Sequence, residues 1–349
     1  MTPVEWRRSN DTGRTATGVT PRFTRAGWFV VALVALALIA TASVGFGARV
    51  VSWHEILTAF SGEEGIAQAA VRKRVPRTVL AILVGAALGM AGAVMQGITH
   101  NPLADPGILG VTTGASLSVV TGIAFFGLTS STGFIWVAIL GAGAAAAFVY
   151  GVGSLGRGGA TPLKLALAGA ATSAAFGSMI SAILLPRIEV MDSFRFWQIG
   201  GVGGATWSKV WLVLPFLILG AVVCVACARG LNSLALGADI AAGLGHHVTR
   251  TRLVAATGAI VLCGAATALA GPIGFIGLVV PHVCRLLVGI DHRWLLPFSM
   301  VVGAILLTAA DVAGRLVARP EEIDVGIITA ILGAPIFIWI VRNTKVRAL

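Results

Sequence analysis

Apolar residues fill this chain in blocks long enough to cross a lipid bilayer, and the charge gathers in the stretches between them. The runs Ala26–Ala48 and Thr78–Ile98 hold no charged residue at all; about twenty such residues in a helix span the hydrocarbon core. Blocks bounded by charge, Pro or clustered Gly predict ten spans, at residues 27–47, 78–98, 107–128, 134–155, 163–185, 210–228, 253–270, 272–289, 297–317 and 326–341. Backbone polar groups find no water inside lipid, so each block is expected to be an α-helix. The break between the seventh and eighth spans rests on Gly271-Pro272 alone. This division leaves residues 1–26 as a basic N-terminal tail, 27–342 as one transmembrane domain and 343–349 as a short C-terminal tail. The arginines before the first span have the look of a secretory signal, but the apolar run is nearly twice a usual signal core, which predicts an uncleaved span.

Composition removes the soluble alternatives. Of 349 residues, 57% are hydrophobic and 11% charged, with a mean hydropathy of +0.92; soluble chains carry roughly 25% charged residues. The net charge of +11 does not point to nucleic acid, because the basic residues sit in inter-span loops and form no stripe interleaved with aromatics. It does set sidedness. With the N-terminus inside, 15 of the 25 Lys and Arg residues and five of the 14 acids fall on the cytoplasmic side, for nets of +10 inside and +1 outside. Both termini are therefore expected in the cytoplasm. Against that bias, Arg49, Arg72, Lys73, Arg74 and Arg77 cluster outside ahead of the second span. Either Glu55, Glu63 and Glu64 balance them locally, or they form a docking patch for an acidic partner.

Candidate chemistry is sparse. No Gly-x-x-x-x-Gly-Lys-Ser/Thr phosphate loop exists, so ATP has no site of that kind. Gly151-Val-Gly153-Ser-Leu-Gly156 has dinucleotide spacing but ends a span instead of following a strand, and His54-Glu55 lacks the second histidine of a zinc protease. Cys224, Cys227, Cys263 and Cys284 lie in apolar stretches and read as unreactive. No carboxylate or arginine lies near the middle of a span, where coupled transporters place them. Gly85-x-x-x-Gly89 and Gly110-x-x-x-Gly114 have the spacing of close helix crossings. Two cytoplasmic loops stand out. His100-Asn-Pro-Leu-Ala-Asp-Pro106 is rigid and almost uncharged, a constriction or a plain turn. Residues 229–252 hold a helix-prone apolar centre, Leu234–Leu244, too short to span; it is a socket for another protein or packs back on its own bundle.

Several segments together carry a family resemblance. Arg74-Val-Pro-Arg77, Gly85-Ala-Ala-Leu-Gly89, Met95-Gln96 and Asn101-Pro-Leu-Ala-Asp-Pro-Gly-Ile-Leu-Gly110 closely resemble the FecCD-type permeases of iron-siderophore and cobalamin importers. Leu234-Ala-Leu-Gly237, the run Ala270–His282, Asp291-His-Arg293, Ala310-Asp311 with Arg315, and Val325-Gly-Ile327 extend the match in order over residues 70–342. The resemblance implies an all-α, ten-helix bundle of the type II ABC importer kind, paired with a second permease copy or a paralogue in the plasma membrane. Two cytoplasmic ATPase subunits would bind ATP and Mg, leaving this chain without a cofactor or a catalytic role, and an extracytoplasmic binding protein would deliver substrate.

By residue, Arg74, Arg77 and Arg315 match the arginines that meet the binding protein. Asn101, Pro102 and Leu103 match a cytoplasmic gate, and Thr161, Pro162 and Leu163 occupy the second gate loop. Ala235, Leu236, Gly237, Ala238, Asp239, Ala241, Ala242, Gly243, Leu244 and Gly245 match the helix that fits the ATPase cleft, although the family often has a charged or polar residue near Gly243. Large chelates suit the pathway better than bare ions, because no carboxylate or thiolate cage is evident; among chelates, the family resemblance puts ferric siderophore ahead of haem and cobalamin. An ion-coupled transporter and a scaffolding membrane subunit are the readings of other classes.

Overall fold

The computed structural model describes residues 22–47, 52–61, 65–102, 104–155, 161–245 and 247–343, and every regular element among them is helical. In chain order these are α1 (Arg22–Gly45), α2 (Trp53–Phe60), α3 (Ile66–Thr99), a 3-10 turn (Pro106–Leu109), α4 (Val111–Phe126), α5 (Ser131–Ser154), α6 (Pro162–Leu184) and α7 (Ile188–Ile199). After them come α8 (Trp207–Ala226), α9 (Ala228–Leu234), α10 (Ala238–Gly243), α11 (Val248–Ala270), α12 (Ile276–Val288), α13 (His292–Val317) and α14 (Val325–Asn343). Seven helices are long and apolar enough to cross a membrane, and the apolar α4, α12 and α14 are shorter. Together they occupy the ten predicted spans. The uncertain seventh break is real: α11 ends at Ala270, Gly271 takes a φ of +68°, and Pro272 starts the connection to α12. Most of the N-terminal tail, Glu63, Glu64 and Leu103 lie outside the described residues.

Three features exceed the hydropathy reading. At 34 residues, α3 begins twelve positions before the predicted span and carries Arg72, Lys73, Arg74 and Arg77 on its first turns. At 1.5 Å per residue it is about 50 Å long, well beyond the ~30 Å hydrocarbon core. The short helix α2 is closed by a capping box, Ser52 Oγ accepting from the Glu55 N–H while the Glu55 carboxylate accepts from the Ser52 N–H. Helix α7 follows α6 at once, and its Trp197 donates to the Ala268 carbonyl of α11 at 3.2 Å.

The core is organised around α3, which packs chiefly on α13, α11 and α12. Apolar side chains gain nothing by leaving lipid for a protein interior of equal polarity, so helix association depends on close backbone approach. Glycine supplies it. A Cβ at Gly85 would lie 2.3 Å from the Gly303 carbonyl oxygen, and one at Gly89 would lie 2.3 Å from that of Ser299. One turn on, a Cβ at Gly92 would lie 2.1 Å from the Gly277 carbonyl of α12. The second glycine pair is divided between two jobs. Gly114 crosses α5 at Gly141, whereas Gly110, with a φ of +70°, makes the turn from the 3-10 segment into α4.

Gly303→Val is expected to prevent a stable fold, since its branches would enter the backbone of α3, while Gly143→Ala, which meets no atom within 4 Å, is expected to be neutral or slightly stabilising. Thermal unfolding of the two variants in detergent checks the contrast.

Candidate functional site

Three regions carry the predicted site residues. At the outer end, α1 stops at Gly45, and its last carbonyls have no partners within the helix. Arginines from two other helices provide them. Arg74 Nη1 donates to the carbonyls of Val44 (3.3 Å) and Gly45 (2.9 Å). Arg315 Nη1 donates to those of Ser43 (2.9 Å) and Phe46 (3.0 Å), and its Nη2 donates to Ser43 Oγ at 2.6 Å. Cations at a helix C-terminus also complement the macrodipole. Asp311 joins them: it takes Arg315 Nη2 at 2.8 Å on one oxygen, and Arg77 Nη2 at 2.8 Å and Nε at 3.0 Å on the other. Arg77 then reaches the half-exposed Glu322 with Nη1.

This arrangement changes the picture of the three outward arginines. Arg315 and Arg74 are 1% and 7% exposed, and their guanidinium groups are engaged within the chain. In this conformation they hold α1 against α3 and α13 and present no charge to a partner. Arg77, through Glu322, is the one that reaches the rim. Beside it, burial pushes the Asp324 carboxyl above its ordinary range, more than the neighbouring Arg77 charge lowers it.

At the opposite end, α3 terminates on His100, which adopts a left-handed conformation (φ +51°) and sets its Nε2 2.6 Å from the Leu234 carbonyl at the end of α9. The chain then turns through Asn101, with the Ala104 N–H donating to the Asn101 carbonyl, and Pro102 exposed. Asp105 caps the 3-10 turn by accepting from the Gly107 N–H at 2.8 Å. Its carboxylate keeps a sliver of open surface but is ringed by protein, with the Gly277 backbone directly against it. That enclosure pushes the carboxyl up, only partly offset by the Gly107 hydrogen bond. The loop predicted as the second gate is a neighbour: α6 packs on the same 3-10 turn, starting from Thr161, whose Oγ accepts from the Lys164 N–H, with Pro162 in its first turn and Leu163 exposed.

The loop after α8 is two short helices. Leu231 and Leu234 of α9 are buried, and Gly237 (φ +107°) turns the chain into α10. Ala241 fixes α10 to the bundle, while Leu236, Ile240 and Leu244 are 59%, 56% and 62% exposed. Both readings of this segment are thus present, one face packed back and the other offered outward; Ala235, Ala238, Asp239, Ala242, Gly243 and Gly245 complete it, mostly exposed. Asn232 ties α9 to α13. Its Nδ2 donates to Asp291 at 2.6 Å, and its Oδ1 accepts from the His292 N–H at 2.8 Å and from Nδ1 at 2.9 Å. With the amide so oriented, the His292 proton sits on Nδ1. Burial alone would raise the Asp291 carboxyl, but the Asn232 and Arg293 N–H bonds outweigh it and hold it low.

The residues that link these regions, Asp311, His100, Asn232 and Asp291, were not assigned roles from sequence. Asp311 and Asp291 stood inside family-like motifs, which was the available signal. His100 opens the rigid loop that stands out in the sequence, but its partner, a backbone carbonyl, leaves no mark there, and Asn232 carries no signal because its partners lie about sixty positions away. Among the described residues no three His, Cys, Asp or Glu side chains gather as a metal site.

A solved structure described as an inward-facing metal-chelate type ABC transporter superposes with a TM-score of 0.80 at 30% identity, covering 92% of this chain and all of that one. Bundle, loop helices and superposition define a multi-pass transport permease of the ABC importer kind. More particularly, the chain belongs to the FecCD transport family, whose model matches residues 18–343. It is 42% identical over 320 residues to a probable siderophore transport system permease of Bacillus subtilis, covering 90% of this chain and 96% of that protein. It is 44% identical over 315 residues to the ferric enterobactin permease FepD of Escherichia coli (89% and 94% covered). To the hemin transport permease HmuU of Yersinia pestis it is 36% identical over 322 residues (90% and 94%).

Asp311→Asn should cost about 3–5 kcal/mol by leaving two buried guanidinium groups short of a counter-charge, read as a lowered unfolding midpoint. For Asp105 the raised folded pKa fixes the sign. Its protonated form is favoured by folding, so the wild type gains on Asp105→Asn at low pH and loses that advantage as pH rises through the raised value. Melting both proteins from about pH 4 to about pH 8 tests this; a wild-type advantage that grows as pH rises would contradict the enclosure.

Proposed function

We propose that this chain is the membrane-spanning subunit of an ATP-driven importer of ferric siderophores in the plasma membrane, working by alternating access. A second permease copy or paralogue, two cytoplasmic ATPase subunits and an extracytoplasmic binding protein complete the assembly. The observation that carries the reading is α10, an apolar helix exposed beyond the spans yet hydrogen-bonded through α9 to the ends of α3 and α13. A partner that grips Leu236, Ile240 and Leu244 pulls on His100 through Leu234, and so on the Asn101–Asp105 loop where the gate is assigned. The same movement reaches α13 through Asn232. ATP hydrolysis belongs to the partner, and the permease supplies the lever.

At the outer end the pairs among Arg77, Asp311 and Glu322 supply the acid-responsive surface. An incoming carboxylate competes with Glu322 for Arg77, and Arg74 and Arg315 become available only if α1 shifts. The siderophore assignment draws support from the siderophore and enterobactin relatives. Haem is the second reading, favoured by the hemin relative at lower identity; cobalamin follows.

The test is uptake in cells lacking the gene, offered iron as several siderophores, haem, or labelled cobalamin. Loss of one siderophore, restored by the intact gene but not by Leu236→Gln/Ile240→Gln/Leu244→Gln at equal membrane abundance, is expected. Loss of haem or cobalamin uptake alone would overturn the cargo, and full rescue by the triple variant would overturn the lever.

A further inference from the structure

A cleft of about 410 Å³ opens where the cytoplasmic ends of α8 and α13 meet the start of α9, and its lining includes no residue of the predicted gate loops or of α10. Its polar wall carries Arg229 and Arg293, both exposed, and its apolar wall is Val225, Leu296 and Pro297. Among the described residues neither guanidinium makes a hydrogen bond or a salt bridge within 4 Å. Asp291 lies beside them, accepting from Asn232 and the Arg293 N–H and facing Arg25 at 3.9 Å, and its one negative charge offsets only one of the three arginines. The local balance of Arg25, Arg229, Arg293 and Asp291 is positive.

The cleft does not end at the helix termini. From Val225 an exposed apolar track runs down α8 through Val222, Ile218 and Pro215 to Trp211, each step three or four residues and so on one face. A soluble acidic protein could meet the arginines but could not follow that track into the hydrocarbon. A molecule with an anionic head and long acyl chains does both.

We infer that this cleft is a binding site for an anionic phospholipid of the inner leaflet, its phosphate between Arg229 and Arg293 and its chains along α8. Basic pockets at the cytoplasmic ends of membrane helices suit such headgroups because attraction is strong beside the bilayer and decays within a Debye length. The inference needs only the sidedness of the chain, so it stands or falls apart from the transport reading.

The experiment uses the full-length chain in neutral detergent, titrated with phosphatidylglycerol or with phosphatidylcholine of identical acyl chains, binding being counted by native mass spectrometry. The intact protein should retain phosphatidylglycerol preferentially. Arg229→Gln/Arg293→Gln should weaken that binding about thirtyfold, the worth of two basic groups at an anionic surface. Arg342→Gln, an exposed arginine at the far end of α14, should change it less than about twofold. An unchanged unfolding midpoint in phosphatidylcholine shows that the double variant folds, and the single Arg229→Glu gives an independent reading. Equal binding of the two lipids, undiminished phosphatidylglycerol binding by the variants, or full competition by inorganic phosphate at matched concentration would each overturn the assignment.

Discussion

Everything in this molecule depends on α3 and α13 touching backbone to backbone. Lipid tails are as apolar as leucine, so two helices in a bilayer stay together only if their surfaces fit more closely than either fits lipid. Gly85, Gly89 and Gly303 remove the side chains that would hold the backbones apart, and Gly92 extends the contact to α12. The crossing fixes the axis of the bundle. Helices α1, α8 and α11 then pack around a pair that cannot slide, and the two ends of that pair become the places where outside and inside events are felt.

Those ends use opposite chemistry. The outer one is ionic: one buried carboxylate, Asp311, serves Arg77 and Arg315, and Arg315 together with Arg74 closes the carbonyls of α1. Such a cluster is costly to desolvate and costly to break, which favours one arrangement over many. The inner one is built from separate hydrogen bonds with no buried ion pair, His100 to a backbone carbonyl and Asn232 to His292 and to the Asp291 carboxylate. The neutral ones are individually worth only about 0.5–1.5 kcal/mol and the one to Asp291 about 1.5–3 kcal/mol, so they transmit a push at less cost than breaking the outer ion pairs.

Hydropathy made the spans legible because membrane helices must be long, apolar and internally bonded, and each of those demands leaves a mark on the sequence. The glycine crossing at Gly85 and Gly89 was visible for the same reason: spacing alone encodes it. Gly110 was misleading, since the same spacing also arises when a glycine is needed for a positive φ. The capping box of α2 was written in Ser52 and Glu55 yet hidden beneath a search for twenty-residue blocks. The arginines were read by sign and side, which says where a charge lies along the membrane normal and nothing of whether it is already paired. Arg74 and Arg315 point inward because α1 ends beside them, a fact of tertiary geometry that no spacing within α3 or α13 contains.

The exposed face of α10 has a consequence for the life of the chain before assembly. Leu236, Ile240 and Leu244 stand on a cytoplasmic surface, beyond the reach of lipid that shelters the other exposed aliphatic residues. Until a partner covers them they are the kind of patch that aggregates or is sorted by quality-control proteases. On the proposed reading a newly inserted subunit carries its own marker of incompleteness, and its steady-state abundance in the cell follows the supply of the protein that covers that helix.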